Sequence, residues 1–327
     1  MFNKLKKYWF SLLVLFFFSL RGIIISICSK NLFLIWLGFE INMFSIIPFL
    51  SNESLIKKMG VEFYYFLVQV IGTILFLWGS ILNSFNVIGL LGFFIKLGYF
   101  PFFVWVPSII VRLSWARIFL ISTIQKLPII LLFRLIFDYD RNLIVFISLI
   151  TIVLSIFGMF LKINKLKNVF GWSSIIKTRF ILVILSVSFN LALLYFIFYS
   201  IHVFFFCFCL YKSKFNKLWF NYNKLDSFWL IKGFFSFFFF SGLPPFLRFF
   251  YKILFIKKLM YLFWLEWVII IIFCILLIVQ VSVYINIFKN YFLNFNSFLK
   301  LIKMFRLRFI LNFFFWMFFP GLLVLIF

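Results

Sequence analysis

Apolar residues run almost unbroken for some twenty positions at a time through most of this chain, and that one feature decides the solvent in which it can fold. A helix that crosses the hydrocarbon core of a bilayer needs about 20 such residues. Runs between polar breaks place spans at 9–27, 31–50, 62–82, 86–106, 116–137, 142–162, 170–187, 190–211, 228–256, 264–288 and 309–327. In lipid each segment must satisfy its own backbone groups, so continuous apolar runs read as helices, whereas barrel strands would alternate polar and apolar over about 10 residues. About 11 spans occupy roughly 220 residues of the 327, which leaves short connections. With 66% of residues apolar and 12% charged, no water-facing surface can be built. The chain therefore reads as an all-α polytopic membrane protein of about 11 transmembrane helices. No linker, repeat or low-complexity boundary divides it, so one integral membrane domain over 1–327 is expected.

The charges test this span count. Lys and Arg number 32 against 7 Asp and Glu. The connections fall into two sets. Nineteen basic residues lie in the set that starts with Lys4, Lys6 and Lys7 and includes Lys57, Arg112, Lys162, Lys212 and Lys224. Five lie in the other, at Arg21, Lys30, Arg141, Lys257 and Lys258. A misplaced span would mix the two sets from that point onward. Basic loops stay on the side from which insertion occurs, so the N-terminus and the Lys212 to Lys224 loop are expected inside and Phe327 outside. The net charge of +25 is thereby a topology signal rather than a nucleic-acid footprint. The apolar stretch after Lys7 lacks a small-residue cleavage site, which argues against a secretory signal. Phenylalanine, at 60 residues, reflects a coding bias of the kind an A+T-rich organelle genome imposes. Cys28, Cys207, Cys209 and Cys274 lie in apolar stretches without metal spacing and read as packing residues.

Ionisable groups inside spans are expensive and need a reason. Glu40 sits in Trp36-Leu37-Gly38-Phe39-Glu40-Ile41-Asn42, where Gly38 allows close helix approach. Lys96 lies in Phe94-Ile95-Lys96-Leu97-Gly98-Tyr99-Phe100-Pro101, where Gly98, Pro101 and Pro107 should interrupt a helix. Lys126 is in Thr123-Ile124-Gln125-Lys126-Leu127-Pro128, with Pro128 weakening the ladder at Ile124. Lys252 follows Ser241-Gly242-Leu243-Pro244-Pro245. Three of the four are lysines beside a proline break. Such a break frees carbonyls that protein or water must satisfy, making a polar pocket in which an ammonium can exist and exchange its proton. One acid and three bases could thus form a relay across the membrane plane. Static pairing of Glu40 with Lys96 and snorkelling of Lys252 are the plainer alternatives. His202, among Ile201, Val203 and Phe204, reads as a bundle-facing polar contact before a proton carrier. Lys177 and Arg179 read as residues near a basic loop, and Glu266 as interfacial. No nucleotide loop, haem-ligating histidine pair or iron–sulfur cysteine pattern is present, so no cofactor or metal site is expected on this chain.

Taken in order, Leu34-Ile35-Trp36-Leu37-Gly38-Phe39-Glu40-Ile41-Asn42, Lys96-Leu97-Gly98 with Pro101-Phe102 and Trp105-Val106-Pro107, Gln125-Lys126-Leu127-Pro128, and Ser241-Gly242-Leu243-Pro244-Pro245 with Lys252 resemble the antiporter-like family of chain 2 subunits of mitochondrial NADH:ubiquinone oxidoreductase, respiratory complex I. Four motifs in order cover most of the chain. The resemblance implies a multi-pass subunit of the mitochondrial inner membrane with its N-terminus in the matrix, part of an NADH:ubiquinone reductase but carrying no redox site. It would contribute to proton translocation driven by quinone reduction elsewhere. NADH, FMN, iron–sulfur clusters and ubiquinone would belong to other subunits, and a bound phospholipid is compatible with it. Neighbours would be the antiporter-like chain 4 and the small chains 4L, 6 and 3, within the lipid bilayer and without nucleic acid. In that family Glu40 and Lys96 match a coupled pair, Lys126 the centre of a hydrated axis and Lys252 a point further along.

There are departures. Phe103 stands where the family usually has histidine, and Leu247-Arg248 where it has Thr-Gly. Gly171-Trp172-Ser173-Ser174-Ile175-Ile176-Lys177 is similar to a family element followed by histidine, so Lys177, and with less support His202, are secondary candidates for the relay. A cation/proton antiporter subunit and a non-pumping structural spacer are the competing functions. The first would work without NADH. The second would tolerate neutralisation of Lys126.

Overall fold

The computed structural model describes residues 2–51, 59–81, 88–162, 166–212, 236, 242, 252–254, 257 and 265–293. All of its described elements are helical: α1 (Phe2–Cys28), α2 (Leu32–Ser51), α3 (Met59–Ile81), α4 (Leu90–Leu97), α5 (Trp105–Arg112), α6 (Trp115–Phe119), a π-helical turn (Leu120–Ile124), α7 (Lys126–Leu161), α8 (Leu166–Val187), α9 (Phe189–Lys212) and α10 (Leu265–Leu293). Among the described residues, six stretches are long and apolar enough to cross a membrane. Large apolar side chains on their outer faces, such as Phe63, Trp78, Phe146, Phe157 and Phe204, are exposed, as lipid-facing residues must be. The expected spans at 228–256, apart from a few positions, and at 309–327 lie outside the described residues.

Two compact units make up the chain, one of Met1–Thr151 with Phe170–Leu182 and the other of Ile152–Val169 with Val183–Phe327. In the first, α1 and α2 pack backbone to backbone. A Cβ on Gly38 would lie 2.7 Å from the Gly22 carbonyl oxygen. The same device joins α3 to α4, where a Cβ on Gly92 would meet the Gly72 oxygen at 2.7 Å and the Phe76 nitrogen at 2.8 Å. These are backbone atoms that cannot step aside. Gly92→Ala should therefore lower the thermal midpoint of the detergent-solubilised protein, by the equivalent of about 1–3 kcal/mol. An unchanged midpoint would show that α3 and α4 can part at no cost. Around this contact Phe39, Phe76 and Phe93 meet edge to face, with ring centroids 5.1–6.0 Å apart, the arrangement aromatic quadrupoles favour.

Two expected spans are interrupted. The one placed at 86–106 is broken between α4 and α5. Gly98 takes φ 71° and ψ 53°, a left-handed conformation open to glycine at no steric cost. It ends α4 with Gly98 N–H donating to the Ile95 oxygen at 3.1 Å and Tyr99 N–H to that of Phe94 at 2.7 Å. The Trp105 indole folds back to donate to Ile95 at 2.9 Å. Pro101 lies in the connecting loop. Pro107, expected to break the helix, instead occupies the third position of α5, where a first-turn N–H would lack an intrahelical acceptor anyway. In the span placed at 116–137, α6 passes into the π-helical turn. There the Gln125 N–H reaches back five residues to Leu120 at 3.2 Å, while the Thr123 hydroxyl serves the Phe119 oxygen at 2.7 Å. The regular ladder restarts at Lys126, which puts Pro128 in the first turn of α7.

One expected connection is corrected. The chain at 137–142 was expected to form a loop carrying Arg141, yet α7 runs unbroken for 36 residues through Asp138, Asp140 and Arg141. No glycine or proline stands between Pro128 and Gly158, so nothing there interrupts the ladder. At 1.5 Å per residue the helix is about 54 Å long, which exceeds the hydrocarbon thickness and joins two apolar stretches.

Candidate functional site

The ionisable residues singled out in the first unit stand on the two interruptions and on the helices beside them. Lys96 is in the last turn of α4, one residue before the carbonyls that the left-handed Gly98 releases. It is 5% exposed, and its stem lies against Gly72, where a Cβ would come within 2.7 Å of Lys96 Cγ. Its ammonium sits 3.8 Å from the centroid of the Phe39 ring on α2, a cation–π contact that partly replaces lost hydration. Glu40 follows Phe39 on the same helix, is half-buried, and its carboxylate acts electrostatically on Lys96. Asn42, two residues further along α2, is buried with its side-chain oxygen lacking a hydrogen-bond donor among the described residues.

Lys126 opens α7 directly after the π-helical turn. It is 4% exposed, and its Nζ has no hydrogen-bond partner among the described residues. The neighbouring Gln125 is also buried. Its Oε1 accepts from the Tyr65 hydroxyl of α3, and its Nε2 has no acceptor among the described residues. The two residues thus bring two amine or amide donors into the interior where carboxylates are scarce.

The reading of Lys177 and Arg179 as loop-solvated side chains is overturned. Lys177 is 3% exposed and Arg179 fully buried, and 18 of the 22 residues of α8 are buried. Arg179 Nη2 donates to the Leu97 oxygen at 2.6 Å and to that of Gly98. Its guanidinium carbon lies 3.6 Å from the centroid of Tyr99, and its charge acts on Lys126. The signal that could have found it was available: with a span at 170–187, position 179 is its midpoint, far from either interface. Proximity in sequence to the basic Lys165 and Lys167 hid it. Tyr99, Trp105 and the Tyr65–Gln125 bond also belong to the site and carry no charge that would have marked them.

The remaining candidates divide between the two units. Phe103 packs on Trp172 at 5.8 Å between ring centroids, an apolar contact where a histidine would be polar. His202 on α9, in the second unit, is 4% exposed, and its Nδ1 is 2.5 Å from the Phe198 oxygen one turn back. Lys252, also in the second unit, is buried. Pro244, Pro245, Leu247 and Arg248 lie outside the described residues, and the side chain of Glu266 is likewise not described.

Apolar membrane-crossing helices, two of them interrupted, with buried cations at the interruptions and a half-buried carboxylate on the neighbouring α2, define a multi-pass membrane protein with ionisable groups in its interior. The family profile of NADH:quinone oxidoreductase/Mrp antiporter transmembrane proteins matches residues 79–279, and the chain belongs to this family. NADH-ubiquinone oxidoreductase chain 2 of Artemia franciscana is 31% identical over 233 residues, 70% of this chain and 74% of that one. The chain 2 of Sylvisorex johnstoni is 29% identical over 199 residues, 56% of this chain and 57% of that one. The chain thus spans little more than half the length of several relatives it matches. In fold it is similar to a chain of respiratory complex I from Thermus thermophilus with bound aureothin, at a TM-score of 0.72 and 14% identity over 85% of this chain and 70% of that one. It is also similar to a chain of the Mrp complex from Dietzia sp. DQ12-45-1b, at 0.67 and 15% over 84% and 59%.

Proposed function

We propose that the chain is a proton-translocating membrane-arm subunit of respiratory complex I, working as one membrane-embedded unit of the mitochondrial inner membrane. The observation that carries this is the placement of Glu40, Lys96, Arg179 and Lys126, with the interrupted helices supplying the carbonyls and donors among which they stand. A fully buried lysine whose Nζ meets no acceptor among the described residues is an unstable resting place for a proton. It is therefore a useful one to pass through, since the ammonium gains its stability from whatever charge or water arrives beside it. Glu40 and Lys96 exchange charge at one end of the cluster and Lys126 receives and releases a proton at the other, while Lys252, in the second unit, is a further proton-carrying candidate. Redox chemistry stays on other subunits. Partners in this reading are the antiporter-like chain 4 and the small chains 4L, 6 and 3, and a phospholipid is an acceptable surface ligand.

Reconstituted vesicles holding the whole complex test it: NADH oxidation should acidify the compartment equivalent to the intermembrane space, and the chain should copurify with that activity. The fold it shares with a chain of an Mrp complex supports the antiporter alternative. Cation-driven proton movement without NADH would favour that alternative and overturn the proposal. Topology gives a second check. In a Cys28→Ser background, a cysteine placed at Asn3 should be labelled from the matrix side only. Labelling from the opposite face would invert the orientation that the loop charges set.

A further inference from the structure

In the first unit, Arg179 is the side chain that takes up the carbonyls at the α4 break. Gly98 turns out of the helical ladder at φ 71°, and the oxygens of Leu97 and Gly98 are taken up by the Arg179 guanidinium. The same guanidinium lies over the ring of Tyr99, the next residue. One planar fork therefore holds three consecutive residues, and Lys96 is the residue just before them. A lysine could not do this, because its ammonium is a point donor on a flexible stem. Arg179 Nε and Nη1 have no hydrogen-bond partner among the described residues, so the side chain is not used up in capping. Its charge also acts on Lys126, and a guanidinium keeps its proton in a protein. Arg179 is thus a cation that stays while the lysines on either side exchange.

We propose that Arg179 is a positioning residue for proton transfer, which clamps the α4 break so that Lys96 stands at a fixed place. This rests on the relay proposed above. The test is the number of protons moved per NADH oxidised in vesicles holding the whole complex, read beside the amount of complex assembled. Arg179→Met should keep the assembled amount and lower the ratio at least twofold. Arg179→Lys, which keeps a charge but loses the fork, should also lower it. Tyr99→Leu, which removes the ring and leaves the arginine, should lower it in the same direction and keeps the proposal testable if Arg179→Met does not assemble. A purely structural role would reduce the yield and leave the ratio unchanged, and an unchanged ratio in Arg179→Lys and Tyr99→Leu overturns the proposal. Lys126→Met measured alongside separates the two readings. Full transport there removes the relay itself, whereas loss there with an unchanged ratio in the Arg179 and Tyr99 variants removes only the role of Arg179.

Discussion

Lys126→Met should assemble and lose nearly all coupled proton transport. Both halves follow from where Lys126 stands. Its side chain is 4% exposed, its Nζ has no hydrogen-bond partner among the described residues, and the charge that acts on it is the like charge of Arg179. Replacing a buried charge by an apolar chain of similar length is often neutral or stabilising, and methionine fills irregular space well. Assembly therefore has no reason to fail. Transport does, because a correctly placed acid–base group is worth about 10²–10⁴-fold in the proton transfer it serves. Residual NADH-driven transport should be below about a tenth of the unaltered rate by the same measure. Lys126→Arg keeps the charge and fails for the opposite reason, since a guanidinium does not release its proton. The check is proton uptake and NADH oxidation in the same vesicles. Full transport by Lys126→Met would make the residue structural and the chain a spacer.

How much of this could be read in advance depends on which physical signal each element leaves in the sequence. Helices such as α2, α3, α8 and α9 were legible to within a few residues because twenty apolar residues in a row have one reading in lipid. The interruption at Gly98 was legible too, from a glycine and a proline three residues apart. Pro107 misled, because proline breaks a helix in its interior and suits its first turn, and only the structure shows where α5 begins. The reverse happened at Asp138–Arg141. A short polar group inside an apolar stretch looks like a loop, but with no glycine or proline the backbone there stays helical. At the site, charges inside apolar runs pointed to Glu40, Lys96 and Lys126. Arg179 was missed because two nearby basic loop residues offered a simpler account of it, although the midpoint of its span did not. Its partners are backbone oxygens more than 80 residues away, and no spacing in the sequence encodes that meeting.

Glu40→Gln and Lys96→Met should each slow coupled turnover, and the double variant should be no worse than the more damaged single. The Glu40 charge acts on Lys96 across α2 and α4, with the Phe39 ring beneath the ammonium. Unit charges 4–6 Å apart attract by roughly 3–4 kcal/mol at an effective dielectric constant near 20. That energy is available to a transfer step only while both charges are present. Removing Glu40 leaves Lys96 with the aromatic face alone, worth about 2 kcal/mol or more in a desolvated site. Removing Lys96 leaves Glu40 half-buried without its cation. Each single variant therefore forfeits the same interaction, and a loss of some 1–2 kcal/mol in the limiting step corresponds to roughly five- to thirtyfold in rate. Independent residues would multiply their losses in the double variant, whereas members of one pair cannot lose it twice, so the cycle should show about 1 kcal/mol or more of coupling. Turnover of the four complexes at one pH decides between these outcomes. Multiplied losses would mean that Lys96 stands on Phe39 for packing, and that the carboxylate beside it belongs to another contact.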